Sequence, residues 1–185
     1  MSRKTSIGVC LKRMLVFRRS SASSPRDTIV SSIGACIAIV MIAWLSGLVL
    51  DKYDIPLLVA SMGAAAVLLF AAPESEMSQP WPLFIGHIVS ALVGVTCAKY
   101  IPELSLASGL AVGGAILCMH LTRSLHPPGG AAALVAVIGG QSIQSLGYLY
   151  VLVPVLLNVL IIYIITLVVN NLVAGKPYPV QVEKE

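Results

Sequence analysis

The residues with most chemical content lie in the run Arg123-Ser124-Leu125-His126-Pro127-Pro128-Gly129-Gly130-Ala131-Ala132-Ala133. Proline has φ preset for a first helical turn and lacks an N–H, so Pro127 and Pro128 read as a helix start, with His126 or Ser124 just before it. Gly129 and Gly130 leave that turn without side-chain cover, so a ligand can approach the backbone closely. The first N–H groups of a helix have no internal partner, and the dipole there is positive. With Arg123 alongside, the spacing points to an anion-binding corner. The competing reading is a rigid turn between two helices, with Arg123 snorkelling at an interface.

Two further polar residues fall inside apolar stretches. His87 sits in Gly86-His87-Ile88, and Asn158 sits in Val155-Leu156-Leu157-Asn158-Val159. An ionisable residue at membrane depth faces a bundle interior or a cavity by default, although an interfacial, hydrogen-bonded histidine also fits His87. Asn158 needs a hydrogen-bond partner, whether it lines a path or bridges helices. His120 and His126 do not share a helical face and no carboxylate accompanies them, so neither a metal nor a cofactor is expected. Cys10, Cys36, Cys97 and Cys118 have no CxxC spacing and read as small apolar residues. There is no GxSxG, HExxH or phosphate-cradling loop, and every acid lies in a connecting segment or tail, so an enzyme is not expected.

The elements that must position these residues are membrane helices. The chain has 185 residues, 57% of them hydrophobic and only 11% charged. Its mean hydropathy is +0.92. Soluble domains carry roughly 25% charged residues, so a water-facing globule is excluded. Residues 1–27 hold seven basic residues and one acid, and the rest of the chain carries five basic and seven acidic residues. That asymmetry reads as positive-inside topology with a basic cytoplasmic segment at 1–27, and nucleic acid is not an expected partner. No cleavable signal peptide is expected. The Arg- and Ser-rich, acid-poor segment also fits an organelle transit peptide.

Uncharged intervals cover residues 28–50, 55–73, 77–98, 104–122 and 124–175. A crossing needs about 20 residues. The last interval is too long for one crossing and is broken by Pro127-Pro128-Gly129-Gly130 and Gly139-Gly140. The sequence thus predicts an all-α integral membrane protein with a helical domain at 28–173. About six segments are expected: 28–50, 56–73, 82–98, 104–122, 127–140 and 149–173. Four full spans plus two short or re-entrant segments is an equivalent description. A cytoplasmic tail at 174–185 follows, so both termini face the cytoplasm.

Shifting the chain by 67 residues sets Gly63-Ala64-Ala65-Ala66-Val67-Leu68 on Gly130-Ala131-Ala132-Ala133-Leu134-Val135. This is either chance similarity of small residues or a 3+3 repeat, which would be inverted because three is odd. The second and fifth segments correspond, and they are the shortest and most interrupted. Such a pair is a pointer to a substrate path, which brings Ser61 and Gly63 into the candidate site. Gly86, Ser90, Gly94 and Ala98 form a small-residue stripe, suited to close helix packing or to a homo-oligomer.

Leu125-His126-Pro127-Pro128-Gly129-Gly130-Ala131-Ala132-Ala133-Leu134 resembles the signature of the HPP family of integral membrane proteins. Gly63-Ala64-Ala65-Ala66-Val67-Leu68-Leu69-Phe70-Ala71-Ala72-Pro73, Ser78-Gln79-Pro80-Trp81 and Gly86-His87 extend the resemblance over roughly residues 28–172. The family is usually described with about four spanning helices. Some plastid and cyanobacterial members are associated with nitrite transport, and others carry a C-terminal CBS regulatory domain, which is not expected here. The resemblance implies no specific binding residues.

These readings combine into a transporter or channel-like facilitator for a small solute, most concretely a monovalent anion such as nitrite, in a bilayer taken to be a bacterial inner membrane. The expected pathway residues are Arg123, His126, Pro127, Pro128, Gly129, Gly130, Ser61, Gly63, His87 and Asn158. The alternative is a membrane assembly module without transport.

Overall fold

A computed structural model describes residues 24–48, 50, 54–172 and 177–180. The basic segment expected at 1–27 lies outside them apart from its last four residues, as does most of the tail expected at 174–185. The helices are α1 (Pro25–Ser46), α2 (Ile55–Ala71), α3 (Pro80–Tyr100), α4 (Leu104–Leu121), α5 (Pro127–Ile138), α6 (Gln141–Leu146) and α7 (Leu157–Leu172). A short 3₁₀ turn, Glu76–Ser78, precedes α3 and a π-helical turn, Val151–Leu156, leads into α7. There is no strand among the described residues.

The six expected segments are all present. Four are long and apolar enough to cross a membrane: Pro25–Ser46, Pro80–Tyr100, Leu104–Leu121 and Val151–Leu172. Helices α2 and α5 are the short pair. The 12 residues of α5 extend only about 18 Å at 1.5 Å per residue, well under the roughly 30 Å hydrocarbon core.

Local sequence explains the helix starts. Helices α1, α2, α3 and α5 each carry a proline in the first turn, where a missing N–H costs nothing. Ser24 caps α1 by accepting from the Asp27 N–H at 3.1 Å. Glu103 caps α4 by accepting from the N–H groups of Ser105 (2.9 Å) and Leu106 (2.5 Å). Those two backbone bonds hold its carboxyl below the usual glutamate range.

The contacts fix helix directions. Residues 86, 90 and 94 of α3 meet residues 126, 129 and 133 in turn, so α3 and α5 run parallel. Asn170 near the end of α7 donates to Leu69 O near the end of α2. Asn158 near the start of α7 donates to Ser46 Oγ at the end of α1. A Cβ on Gly34 in α1 would touch Phe70 and Val169. One face of the bundle therefore holds the N-terminal ends of α1, α3 and α5 and the C-terminal ends of α2, α4 and α7. We call it the amino face, because α1 begins there.

Each helix in 25–71 and its continuation α3 runs opposite to its counterpart in the second half. Helices α1 and α4, α2 and α5, and α3 and α7 form the exchanged pairs. Packing respects the exchange: α1 lies on α2 as α4 lies on α5, and α1 lies on α7 as α4 lies on α3. Ser61 and Pro128, which the 67-residue shift superposes, are hydrogen-bonded to each other at 3.1 Å. With the helix directions exchanged, a contact between equivalent residues is what a two-fold passing between the halves produces, so the helices have the arrangement of an inverted repeat.

Small residues set the tightest contact. A Cβ on Gly94 would lie 2.7 Å from Ala133 Cα, and one on Gly86 would lie 2.7 Å from Ser124 O. By contrast, Gly109 and Gly113 on α4 have open space around them. Of the cysteines, Cys36 is exposed on α1, while Cys97 and Cys118 are half-buried.

Two outcomes follow. Gly94→Leu should destabilise the folded protein by about 1–3 kcal/mol through overpacking, read as a lower melting temperature in detergent, whereas Gly109→Ala and Gly113→Ala should leave it nearly unchanged. The Glu103 cap should be intact above the ordinary carboxylate range and weaken as pH falls through the lowered pKa of its folded state. Amide exchange at Ser105 and Leu106, compared with Glu103→Gln, reads this directly.

Candidate functional site

Helix α4 ends at Leu121, and the chain reverses through Thr122–Leu125. Arg123 takes a left-handed backbone conformation, φ 51°, uncommon for a side chain of this size. Its N–H donates to His120 O and that of Ser124 to Met119 O, which tightens the turn. The reversed strand then re-enters the bundle and sets His126 level with Gly86, six residues into α3. At 1.5 Å per residue, α5 begins about 9 Å below the start of α3.

His126 is wholly buried at the N-cap of α5, and His87 is wholly buried on α3. Their ring centroids are 4.8 Å apart with the planes tilted by 49°. His87 Nδ1 lies 2.8 Å from Leu83 O, one turn back on its own helix. His126 Nδ1 lies 2.7 Å from Met77 O in the 3₁₀ turn. The Nε2 atoms of both rings, and Ser90 Oγ one turn beyond His87, are buried with no hydrogen-bond partner among the described residues. A Cβ on Gly129 would lie 2.9 Å from Ser90 Oγ and 2.8 Å from Gly86 O, so glycine at 129 permits this approach. Ser61 ties the first half in, donating to Pro128 O.

The expected site residues separate into groups. His87, His126, Pro128, Gly129 and Ser61 come together, with Ser90 added. Pro127 and Gly130 turn the other way and line an apolar groove of about 470 Å³ with Val112, Ile116 and Leu134. Gly63 is half-buried with nothing close to it. Asn158 bonds Ser46 toward the opposite face. Arg123 is exposed and lines a vestibule of about 280 Å³ with Glu76, Met77, Pro82 and His120. The vestibule and the histidine pair share Met77, which lines the first and whose carbonyl holds His126 of the second. The expected pair of helix N–H donors is corrected in part, because the Gly129 N–H is already taken by His126 O at 2.9 Å. Two successive prolines leave this turn with few donors to offer.

Three features were not legible. The small-residue stripe presents Ser90 as a packing residue, although its i, i+3 relation to His87 places both on one face. Asp54 lies in a connecting segment by sequence, yet it is only 5% exposed. It accepts from the Gly140 N–H at 2.7 Å and from the Ser142 hydroxyl, joining the start of α2 to the α5–α6 corner. Tyr178 folds back over the amino face, donating to Ser78 O at 2.7 Å, while the Val180 N–H donates to Gln79 Oε1 at 2.9 Å.

Two halves with exchanged helix directions, three helices each apart from the short α6, define a polytopic helical membrane protein. The sequence profile described as "HPP, transmembrane region" matches residues 20–179, and the chain belongs to that family. It is 39% identical over 154 residues to one curated protein of Dictyostelium discoideum, covering 81% of this chain and 49% of that protein. It is 40% identical over 126 residues to a second from the same organism, covering 66% of this chain and 44% of that protein. Both are named only as transmembrane proteins. The chain thus spans about half the length of the curated relatives it matches. Both relatives are eukaryotic, so they lend no support to a bacterial inner membrane. No solved structure matches the chain.

Asp54→Ala should cost about 1–3 kcal/mol, because the Gly140 N–H loses its acceptor. Asp54→Asn should fall between it and the parent in detergent melting experiments.

Proposed function

We propose that the chain is a passive facilitator for a small polar solute, with the His87–His126–Ser90 cluster as its recognition point. The observation that carries this reading is the set of three buried, unpartnered polar atoms beside the inner end of α5. Buried polar groups are nearly always satisfied, and exceptions mark functional positions. Discontinuous or short helices meeting at a repeat interface are where transporter substrates bind. The vestibule beside Arg123 supplies an approach from the amino face.

Among the described residues no carboxylate bonds either histidine, which favours passage without carboxylate-driven coupling, and the reading is of a transporter and not an enzyme. The family resemblance makes nitrite the first monovalent anion to examine. Arg26 and Arg123 on the amino face support a cytoplasmic side for it under the positive-inside rule. The open surface around Gly109 and Gly113 on α4 favours self-association there, which is also the footing of the alternative, an assembly module.

Uptake into proteoliposomes holding the purified chain, with nitrite, nitrate, formate, chloride and methylammonium compared, tests the reading. Saturable flux of one solute is expected. It should fall by about tenfold or more in His87→Ala or His126→Ala, since losing one ligand hydrogen bond of about 1.4 kcal/mol costs that factor. No flux of any solute through folded protein, or flux indifferent to both variants, would overturn it.

A further inference from the structure

The hydrogen bonds around the two rings fix which atoms carry protons. A backbone carbonyl only accepts. Nδ1 of His87 faces Leu83 O and Nδ1 of His126 faces Met77 O, so each Nδ1 carries the hydrogen and donates. In a neutral imidazole the other nitrogen is then a bare acceptor. Both Nε2 atoms are therefore buried lone pairs without a donor among the described residues. The third unpartnered atom, Ser90 Oγ, can donate or accept.

Among the described residues no donor reaches either Nε2 atom. Pro127 and Pro128 have no N–H, and the Gly129 N–H is spent on His126 O. Arg123 lies exposed in the vestibule. No charged side chain among the described residues bonds either ring. A bare oxyanion offers only acceptors. Of the three atoms it could satisfy the Ser90 hydroxyl, but it would set its own lone pairs against those of two imidazoles, where little water screens the repulsion.

We propose that the His87–Ser90–His126 cluster takes a small solute that donates at least two hydrogen bonds, of ammonium or amine type, and not a bare oxyanion. Two N–H groups of such a solute satisfy the two Nε2 atoms, and a third satisfies Ser90 Oγ. The packing beside Gly129 is tight, a Cβ there lying 2.9 Å from Ser90 Oγ and 2.8 Å from Gly86 O, which limits such a solute to the smallest amines. This rests on the cluster being the recognition point proposed above, and it narrows the solute to one chemical class.

The test is ¹⁵N NMR of histidine in the full chain reconstituted in lipid. The chain has three histidines, and His120→Gln removes the exposed one, leaving the pair. Both remaining rings should show a protonated Nδ1 and an unprotonated Nε2. Methylammonium chloride should shift the Nε2 resonances upfield in a saturable way, while sodium nitrite and sodium formate leave them in place. His126→Asn places a side-chain N–H where Nδ1 donates to Met77 O and lacks the ε position, so the fold should persist while the saturable shift is lost.

Protonation at Nε2 with Nδ1 bare would overturn the proposal. So would a saturable response to nitrite or formate in place of methylammonium, or no response to any probe, which would leave a cluster that holds only water. The NMR response is independent of flux. Binding without transport would sink the facilitator reading and leave the solute class standing, whereas saturable nitrite flux with silent methylammonium would do the reverse.

Discussion

The structure depends on how closely the backbones of α3 and α5 approach. Gly86 lies against Ser124 and His126, Gly129 against Gly86 and Ser90, and Gly94 against Ala133. Lipid offers no hydrophobic drive for helix association, so close packing between small residues must supply the attraction. Running α5 parallel to α3 at this distance requires the chain to turn back after α4 and start a helix inside the bundle. That requirement explains the left-handed backbone at Arg123 and the double proline that follows. It also sets the two histidine rings against one another.

Starting a helix below the membrane surface exposes backbone groups that water cannot satisfy. The chain meets this need with side chains drawn from distant positions. His126 reaches Met77 O, Ser61 reaches Pro128 O, Tyr150 donates to Ala132 O, and Asp54 takes the Gly140 N–H. Interhelical hydrogen bonds of this kind average about 0.6 kcal/mol each in membranes, so none dominates stability. Their value lies in fixing where the short helices stop. Against that background, four buried side-chain atoms lack a partner among the described residues: Asn158 Oδ1, toward the opposite face, and the two Nε2 atoms with Ser90 Oγ, which fall on the same α3–α5 contact.

Much of the fold was legible because charge is rare in this chain. Uncharged intervals marked the segments, and Pro127-Pro128 marked the start of α5; the prolines that open α1, α2 and α3 went unused as start signals. The repeat was ambiguous in sequence, since runs of Gly and Ala align easily; helix directions and the Ser61–Pro128 bond made it visible. The site was legible in part. The motif around His126 was found, but Arg123 was drawn to it by proximity in sequence, and the turn carries that side chain out to the vestibule. Asp54 and Ser90 escaped because what they face lies 86 residues away in one case and across a helix interface, at Gly129, in the other. Sequence spacing carries no record of such contacts. The apparent donor-rich helix start became an acceptor-rich cluster only once the hydrogen bonds of His87 and His126 could be traced.

The central claim is that the His87–Ser90–His126 cluster is reached from water and not sealed in a packed bundle. Ser90→Cys in a background lacking Cys10, Cys36, Cys97 and Cys118 tests it with a small, membrane-impermeant thiol reagent. Arg123→Cys serves as the vestibule control. The account predicts that Ser90→Cys reacts from at least one side of the membrane, more slowly than Arg123→Cys. Complete protection of Ser90→Cys from both sides, in protein whose Arg123→Cys counterpart labels readily, would contradict it.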